Sequence, residues 1–597
     1  MNSLRRAPFL LLVLASAGCF IDSISAPADG PSTGGAGGSI AASGGAGAGG
    51  GGGAPTCSEA ADCGTSNDCV TFACDGGSCT EDRAQLGASC EGTSGKVCDG
   101  QGACLLDLGA ACEQGDECAF GECADDVCCD VACDGPCQAC GVTGACEPLP
   151  AGTVDPACAP GVCDAASTCA IGPTAGAFSI SSTSGIDAWT GAVDAANRAI
   201  IGGSFDGTVT FDGTMYTATN FDAWVARYNE AGLASWGAHF GGPGSEDITG
   251  IGLAGGTPYV SGWHSAGVTI GASVLTVNGG PDGFVARLDP DTGAPLWSRS
   301  IASVGNEYTS GIAVDGDGNA IVVGLFDINL DLGDGLMSSA GGSDIFVLKL
   351  DPTGQPLWSR RFGGVFNDRP RDVAVRSDGS IVIGGAAGGP MTIGATMLND
   401  PGGEGAFVAV LSASGDPLFA DLVGGFEDQL ARFVAVGPAD EFALVGGLRG
   451  TAMFGPSQLM SAGDVDVFAA VYNASFSRRW ARRFGDGAYQ EAWGARFDQN
   501  GNLLLVGDMD STLDFGAGLL TSGGGRDAFV AKLAPDGTPL FSRRFGDGAT
   551  QFGNVAGVGA AGEPFVIGSF DGTLDAGSGL SLTSTAGRDS YVIRLDP

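Results

Sequence analysis

Positive charge is scarce in this chain. Lys and Arg together number 27 against 68 Asp and Glu, a net charge of −41, and such a balance repels nucleic acid and anionic lipid surfaces. Lysine occurs only at Lys96, Lys349 and Lys532, the remaining basic residues being Arg, and histidine only at His239 and His264. Two histidines leave little scope for a Ser-His-Asp arrangement, which needs an imidazole oriented by an acid. No cysteine follows Cys169, although the chain holds 21, so composition alone draws a boundary there. Helical periodicity is missing throughout. Glycine supplies 106 of 597 residues without a period of three, which excludes collagen and leaves turns and linkers. The length itself exceeds what one ordinary core can hold.

The beginning of the chain reads as an export signal over residues 1–18: Arg5 and Arg6, then Phe9-Leu-Leu-Leu-Val-Leu-Ala15, then small residues to Cys19. That apolar run is too short to cross a membrane as a stable helix. Ser16-Ala-Gly-Cys19 resembles the bacterial lipobox, and the resemblance implies a lipidated Cys19; Ala15-Ser-Ala17 equally suits cleavage that would release a soluble protein. Setting Cys19 aside leaves 20 of the 21 cysteines, an even number that can pair completely. Residues 19–56, with Gly34-Gly-Ala-Gly-Gly38 and the run Gly49 to Gly53, have no apolar pattern to order them. They form a tether with a reach on the order of 30 Å.

Residues 57–170 carry 20 cysteines and few large apolar side chains, so disulfides rather than a core must hold them. Cys112-Glu-Gln-Gly-Asp-Glu-Cys118, Val127-Cys-Cys-Asp130 and Cys137-Gln-Ala-Cys140 resemble small Cys-rich modules of bacterial surface proteins. Cys137 and Cys140 have a metal-ligand spacing. With no histidine in the segment and an oxidising destination, disulfides are expected over zinc.

From 171 to 597 one stretch recurs: Asp222-Ala-Trp-Val-Ala-Arg-Tyr228, Asp282-Gly-Phe-Val-Ala-Arg-Leu288, Asp344-Ile-Phe-Val-Leu-Lys-Leu350, Gly405-Ala-Phe-Val-Ala-Val-Leu411, Asp466-Val-Phe-Ala-Ala-Val-Tyr472, Asp527-Ala-Phe-Val-Ala-Lys-Leu533 and Asp589-Ser-Tyr-Val-Ile-Arg-Leu595. Their central aromatics are spaced by 60, 62, 61, 61, 61 and 62 residues, which marks a repeat architecture. Each repeat offers four short apolar runs broken by Gly, Asp and Pro turns, and so four antiparallel strands. The expectation is an all-β chain: a seven-bladed β-propeller, preceded by a disulfide-rich small domain, a Gly-rich linker and a lipoprotein-type signal peptide. The last repeat stops before its fourth strand, and Phe178-Ser-Ile-Ser-Ser-Thr183, ahead of the first inner strand, would complete it and close the ring. Between second and third strands each repeat carries an extra hairpin, such as Thr208-Val-Thr-Phe211 with Met215-Tyr216; seven hairpins would crown one face. Through Asp-x-Phe-Val-x-Lys-Leu, the segment Asp351 to Ser359 and the pair Gly363, Gly364, the repeats resemble the bacterial SBBP family. That resemblance implies the propeller fold and no particular activity.

Candidate ligands recur near the entry of each inner strand: Asp187, Asp247, Glu307, Asp368, Asp428, Glu491 and Gln551, with Glu246 and Gln490 beside them. Around one channel mouth they would hold a cation such as calcium or a polar ligand; as repeated turn caps they would hold only backbone N–H groups. Asp315-Gly-Asp-Gly-Asn319 starts like a calcium loop, but its twelfth position is Phe326, so a hairpin turn is expected. His239 takes the slot of Arg361 and His264 that of Phe326 in their repeats. The pairs Arg360-Arg361, Arg482-Arg483 and Arg543-Arg544 are expected to bridge to acidic loops of adjacent blades. The expected function is non-enzymatic: a monomeric surface or outer-membrane lipoprotein whose propeller binds a protein or glycan partner, with no catalytic residue, cofactor or nucleic acid. The alternatives are a polysaccharide hydrolase or lyase and a purely structural protein.

Overall fold

The computed structural model describes residues 174–596 except 400–401, 455–456 and 586, and, N-terminal to these, short stretches between 58 and 170. Segments 1–18 and 19–56, with Cys19, lie outside the described residues, as does Cys137. Packing divides the described residues between Ala84 and Gln85, inside the Cys-rich region.

Short antiparallel pairs dominate that region, among them Val70–Asp75 with Ser78–Arg83 and Lys96–Cys98 with Cys104–Leu106. Cys118 is joined to Cys128 with 5.5 Å between Cα atoms, and Cys69, Cys74, Cys90, Cys98 and Cys112 are disulfide-bonded as well. Cys112, Cys118 and Cys128 lie close together. Sulfurs already oxidised offer no thiolate to a metal.

The rest is built from four-stranded antiparallel sets. Five stand as separate sheets, and one eight-stranded sheet contains two more, joined where Gly424 and Gly425 pair with Met453 and Ala452. In the third sheet the order is Glu307–Val314, Ala320–Phe326, Asp344–Leu350, Pro356–Phe362, and the others repeat it. The recurring stretch is the third strand. Asp344–Leu350, Gly405–Leu411 and Asp527–Leu533 are buried along their whole length, because neighbouring sheets cover both faces, and their near-continuous apolar sequence follows.

The innermost strands are Gly185–Val193, Glu246–Ala254, Glu307–Val314, Asp368–Val375, Gln429–Val436, Gln490–Phe497 and Gln551–Val558. Each neighbours the next, and the last contacts the first. The outer strand of the last sheet comes from the other end: Thr174–Ile180 pairs antiparallel with Asp589–Leu595, from Thr174 opposite Leu595 to Ile180 opposite Ser590. Further contacts tie first sheet to last. Ser590 Oγ donates to the Ile186 carbonyl at 2.9 Å, Asn554 Nδ2 to the Ala188 carbonyl at 2.8 Å, and Arg594 pairs with Glu230 at 2.9 Å. The inserted hairpins are present too, as in Thr208–Phe211 with Thr214–Thr217 and Thr512–Asp514 with Leu519–Thr521.

Candidate functional site

Strand pairing fixes which residues occupy equivalent places. The first inner-strand position faces the end of the second strand: Glu246 opposite His264, Glu307 opposite Phe326, Asp368 opposite Ala387, Gln429 opposite Leu448, Gln490 opposite Met509 and Gln551 opposite Phe570. Ile186, opposite Phe205, holds that place in the first sheet. The seven candidates therefore fall into three registers. Glu307, Asp368 and Gln551 share this one; Asp187, Asp247 and Glu491 lie one residue later; Asp428 lies one earlier. Successive residues of a strand point to opposite faces, so the seven form no single ring of side chains.

The shared position caps a turn. Glu246 accepts from Gly242 N at 3.1 Å, Glu307 from Ser303 N at 2.6 Å, Asp368 from Gly364 N at 2.6 Å, Gln490 from Asp486 N at 3.1 Å and Gln551 from Asp547 N at 3.3 Å, always four residues back. The first Asp of the third strand repeats the device: Asp282, Asp344, Asp466, Asp527 and Asp589 accept from the N–H of Asn278, Ala340, Ala462, Gly523 and Thr585. These side chains are buried in the sheet junctions. Asp428, exposed, accepts from Glu404 N at 3.0 Å. Glu491 is held by Arg432 of the preceding sheet, Nε to Oε1 at 2.7 Å. Asp187 lies 3.9 Å from Arg588.

Carboxyls meet at three junctions. Burial, then the charge of Asp222, pushes Glu246 up to about 7. Asp368 is pushed up to about 6 by burial, with Asp344 adding to it. Glu307 and Asp282 meet at the third, and burial raises both. A carboxyl so placed keeps its proton to a higher pH than a free one. Where the later repeats place Gln490 and Gln551, the amide needs none.

The arginine pairs divide their work, and one half corrects the expectation of bridges between blades. Arg361, Arg483 and Arg544 pair inside their own sheets, with Asp344, Asp466 and Asp527 at 2.5, 2.5 and 2.7 Å. Arg360 and Arg482 do reach the next repeat, but they donate to the backbone carbonyls of Ser414 and Asp536. His239 behaves as Arg361 does, its Nε2 lying 2.6 Å from Asp222. In the fourth sheet the acid and its partner are lost together, as Gly405 and Leu422. This substitution pattern makes a prediction. Arg361→Leu alone strands the buried Asp344 charge and costs about 3 kcal/mol, whereas adding Asp344→Gly recovers about 1–2 kcal/mol of it, read by urea unfolding. A double variant no more stable than the single one would refute the pairing. Gly363 belongs to the same device: its φ is 152°, and a Cβ there would stand 2.3 Å from Asp344 Oδ1.

Asp315 caps the N–H groups of Asp317 and Asn319 in a hairpin turn and pairs with Lys349 at 2.9 Å. Asp498 does the same with Lys532 at 3.0 Å. Two of the three lysines are thus buried structural cations, a role their scarcity did not disclose. His264 is fully buried with Nδ1 2.6 Å from the Ala266 carbonyl. A shallow depression of about 480 Å³, lined by Ser179, Asp212, Tyr228 and Leu233 among others, lies where the closing strand meets the first sheet.

Sequence reasoning missed a further regularity. Every inner strand has a register shift two or three residues after its cap, placing Trp189, Thr249, Ser310, Arg371, Arg432, Trp493 and Asn554 at a bulge. Bulges re-aim a side chain and cluster near functional sites. The sequence signal was the extra residue in the inner-strand alternation.

No family model matches the chain. Regulatory protein FlaEY of Caulobacter vibrioides is 25% identical over 424 residues, covering 63% of this chain and 42% of that protein; the match thus spans less than half of the relative's length. Solved structures similar to this chain include BamB from Moraxella catarrhalis (12% identity, TM-score 0.32, 70% of this chain and 99% of that one). They also include a quinohemoprotein alcohol dehydrogenase from Pseudomonas putida (11%, 0.36, 70% and 75%) and a gluconolactonase from Xanthomonas campestris (13%, 0.31, 71% and 99%).

Proposed function

We propose that this chain is a lipid-anchored surface protein, held through Cys19 and its Gly-rich tether, that displays an SBBP-type seven-bladed propeller as a binding scaffold for a protein or glycan. The observation that carries this reading is on the inserted hairpins. Met215, Val274, Leu336, Met397, Met460 and Leu519 each sit on the second strand of a hairpin and are between 65% and 71% exposed. Scattered apolar residues need no explanation, but one on the same element in each of the first six repeats makes a recurring apolar surface, as interaction sites have. The chemistry-bearing groups point the same way: His239 and the capping acids are engaged by the scaffold. The relative from Caulobacter is named a regulatory protein, and regulation by binding needs no catalytic centre.

Replacing Met215, Met397, Met460 and Leu519 by Ser leaves thermal unfolding within about 2 °C, since surface changes are mild, and removes a partner captured on a glycan array or by pull-down with the full chain. Capture that survives the substitutions would move binding off the hairpins. Reproducible cleavage of an extracellular polysaccharide would replace the scaffold reading by the hydrolase or lyase one, and the absence of any partner would favour a purely structural protein.

A further inference from the structure

Cations are rare in this chain, yet four guanidiniums gather on the inner strands of the fourth to sixth sheets. Arg369 and Arg371 lie on Asp368–Val375, Arg432 on Gln429–Val436 and Arg496 on Gln490–Phe497. Arg371 and Arg432 hold the same bulge position on adjacent strands, which sets the two like charges side by side.

Three of the four are engaged. Arg369 pairs with Glu404 at 3.2 Å. Arg432 forks onto Glu491, Nε to Oε1 at 2.7 Å and Nη2 to Oε2 at 3.3 Å, and its guanidinium lies 4.0 Å from the ring centre of Trp493. Arg496 donates to the Ala495 carbonyl at 3.2 Å and stacks over Phe433. Arg371 makes no hydrogen bond or ion pair among the described residues. Burial and the charges of Arg432 and Arg369 drag it down to about 10, against the pull of Glu404 and Glu491. Arg369, Arg371 and Arg432 against two carboxylates leave one positive charge uncompensated.

We propose that Arg371, flanked by Arg432 and Arg369, binds a small oxyanion, in its simplest form the carboxylate of an organic or sugar acid. A planar guanidinium offers two parallel donors that match a carboxylate and also accept one edge of a phosphate. The surrounding field of a −41 chain works against anions at long range, so recognition rests on this local surplus and not on steering. The site is separate from the apolar hairpins and stands whether or not they bind a partner.

The test titrates the full chain with sodium glucuronate, sodium acetate, inorganic phosphate and, as neutral control, glucose, following heat and the fluorescence of Trp493 against a Trp493→Phe variant. Glucuronate or acetate binding that glucose does not share, and that weakens about tenfold or more in Arg371→Gln with loss of the donor fork, is the expected result. Phosphate binding more tightly than both carboxylates would assign the site to a phosphate group and overturn the carboxylate assignment. Should Arg371→Gln fail to fold, Arg371→Lys keeps the charge without the fork and is expected to bind about tenfold more weakly. No binding by any anion, or unchanged affinity in the folded Arg371 variant, overturns the proposal.

Discussion

Raising the pH from 5 to 8 lowers the thermal unfolding midpoint by about 5 °C or more. Glu246, Glu307 and Asp368 are buried beside other carboxyls and have raised pKa values. A carboxyl raised on folding binds its proton more tightly in the folded state. Its stabilising contribution is therefore complete near its ordinary value of 4.5 and lost as the pH rises through about 7, the value for Glu246. That shift is worth on the order of 3 kcal/mol for one buried group. A propeller of about 420 residues has an unfolding entropy near 1 kcal/mol per degree, so three such groups give several degrees. General repulsion in a −41 chain acts in the same direction, and the repeats supply the control. Gln490 and Gln551 occupy the same register as Glu246 and Glu307. Glu246→Gln with Glu307→Gln should raise the midpoint at pH 8, leave it nearly unchanged at pH 5, and flatten the slope between. An unchanged slope would assign the effect to net charge. Below about pH 4 the sign reverses: Asp315 and Asp498, which hydrogen bonds from Asn319 with Lys349 and from Asn502 with Lys532 hold low against their burial, lose their contribution as they protonate.

Deleting residues 174–180 from the full chain lowers the midpoint by roughly 10 °C and makes the chain aggregate. That strand is the outer edge of the last sheet, paired along Asp589–Leu595. It also packs on the first sheet, with the Phe178 ring 5.2 Å from that of Tyr228. Without it, the edge of a strand containing Tyr591, Val592 and Ile593 is exposed, and an unpaired apolar edge recruits other chains. Light scattering and thermal unfolding of the deleted chain read both effects. A deletion that left both unchanged would mean that the strand does not hold the ends together.

The strand count, the all-β class, the hairpins and the borrowed outer strand were legible because apolar periodicity and turn residues are local, and repetition multiplies a weak local signal. The candidate site was not. Acids stand at two adjacent positions in some repeats, as Glu246 with Asp247 and Gln490 with Glu491, and a one-residue slip moves a side chain to the other face. Only the pairing with His264, Phe326 and their equivalents fixes the register. Arg361 reads from sequence as a bridge to a neighbouring blade, whereas its partner lies 17 residues back on the other strand of its own hairpin, a pairing that only the strand register reveals. The bulge that carries Arg371 and Arg432 adds a residue without changing composition, and nothing in the pair Gly363, Gly364 distinguishes the glycine that makes room for a carboxylate.

The central claim is that the repeated acids build the scaffold and the hairpins do the binding. Its most direct measurement compares partner affinity for two variants of the full chain: Glu246→Gln with Glu307→Gln and Asp368→Asn, and Met215→Ser with Met397→Ser, Met460→Ser and Leu519→Ser. The account predicts affinity within about twofold of the parent for the first and a loss of about tenfold or more for the second. Affinity lost with the acids and kept without the apolar hairpin residues would contradict it.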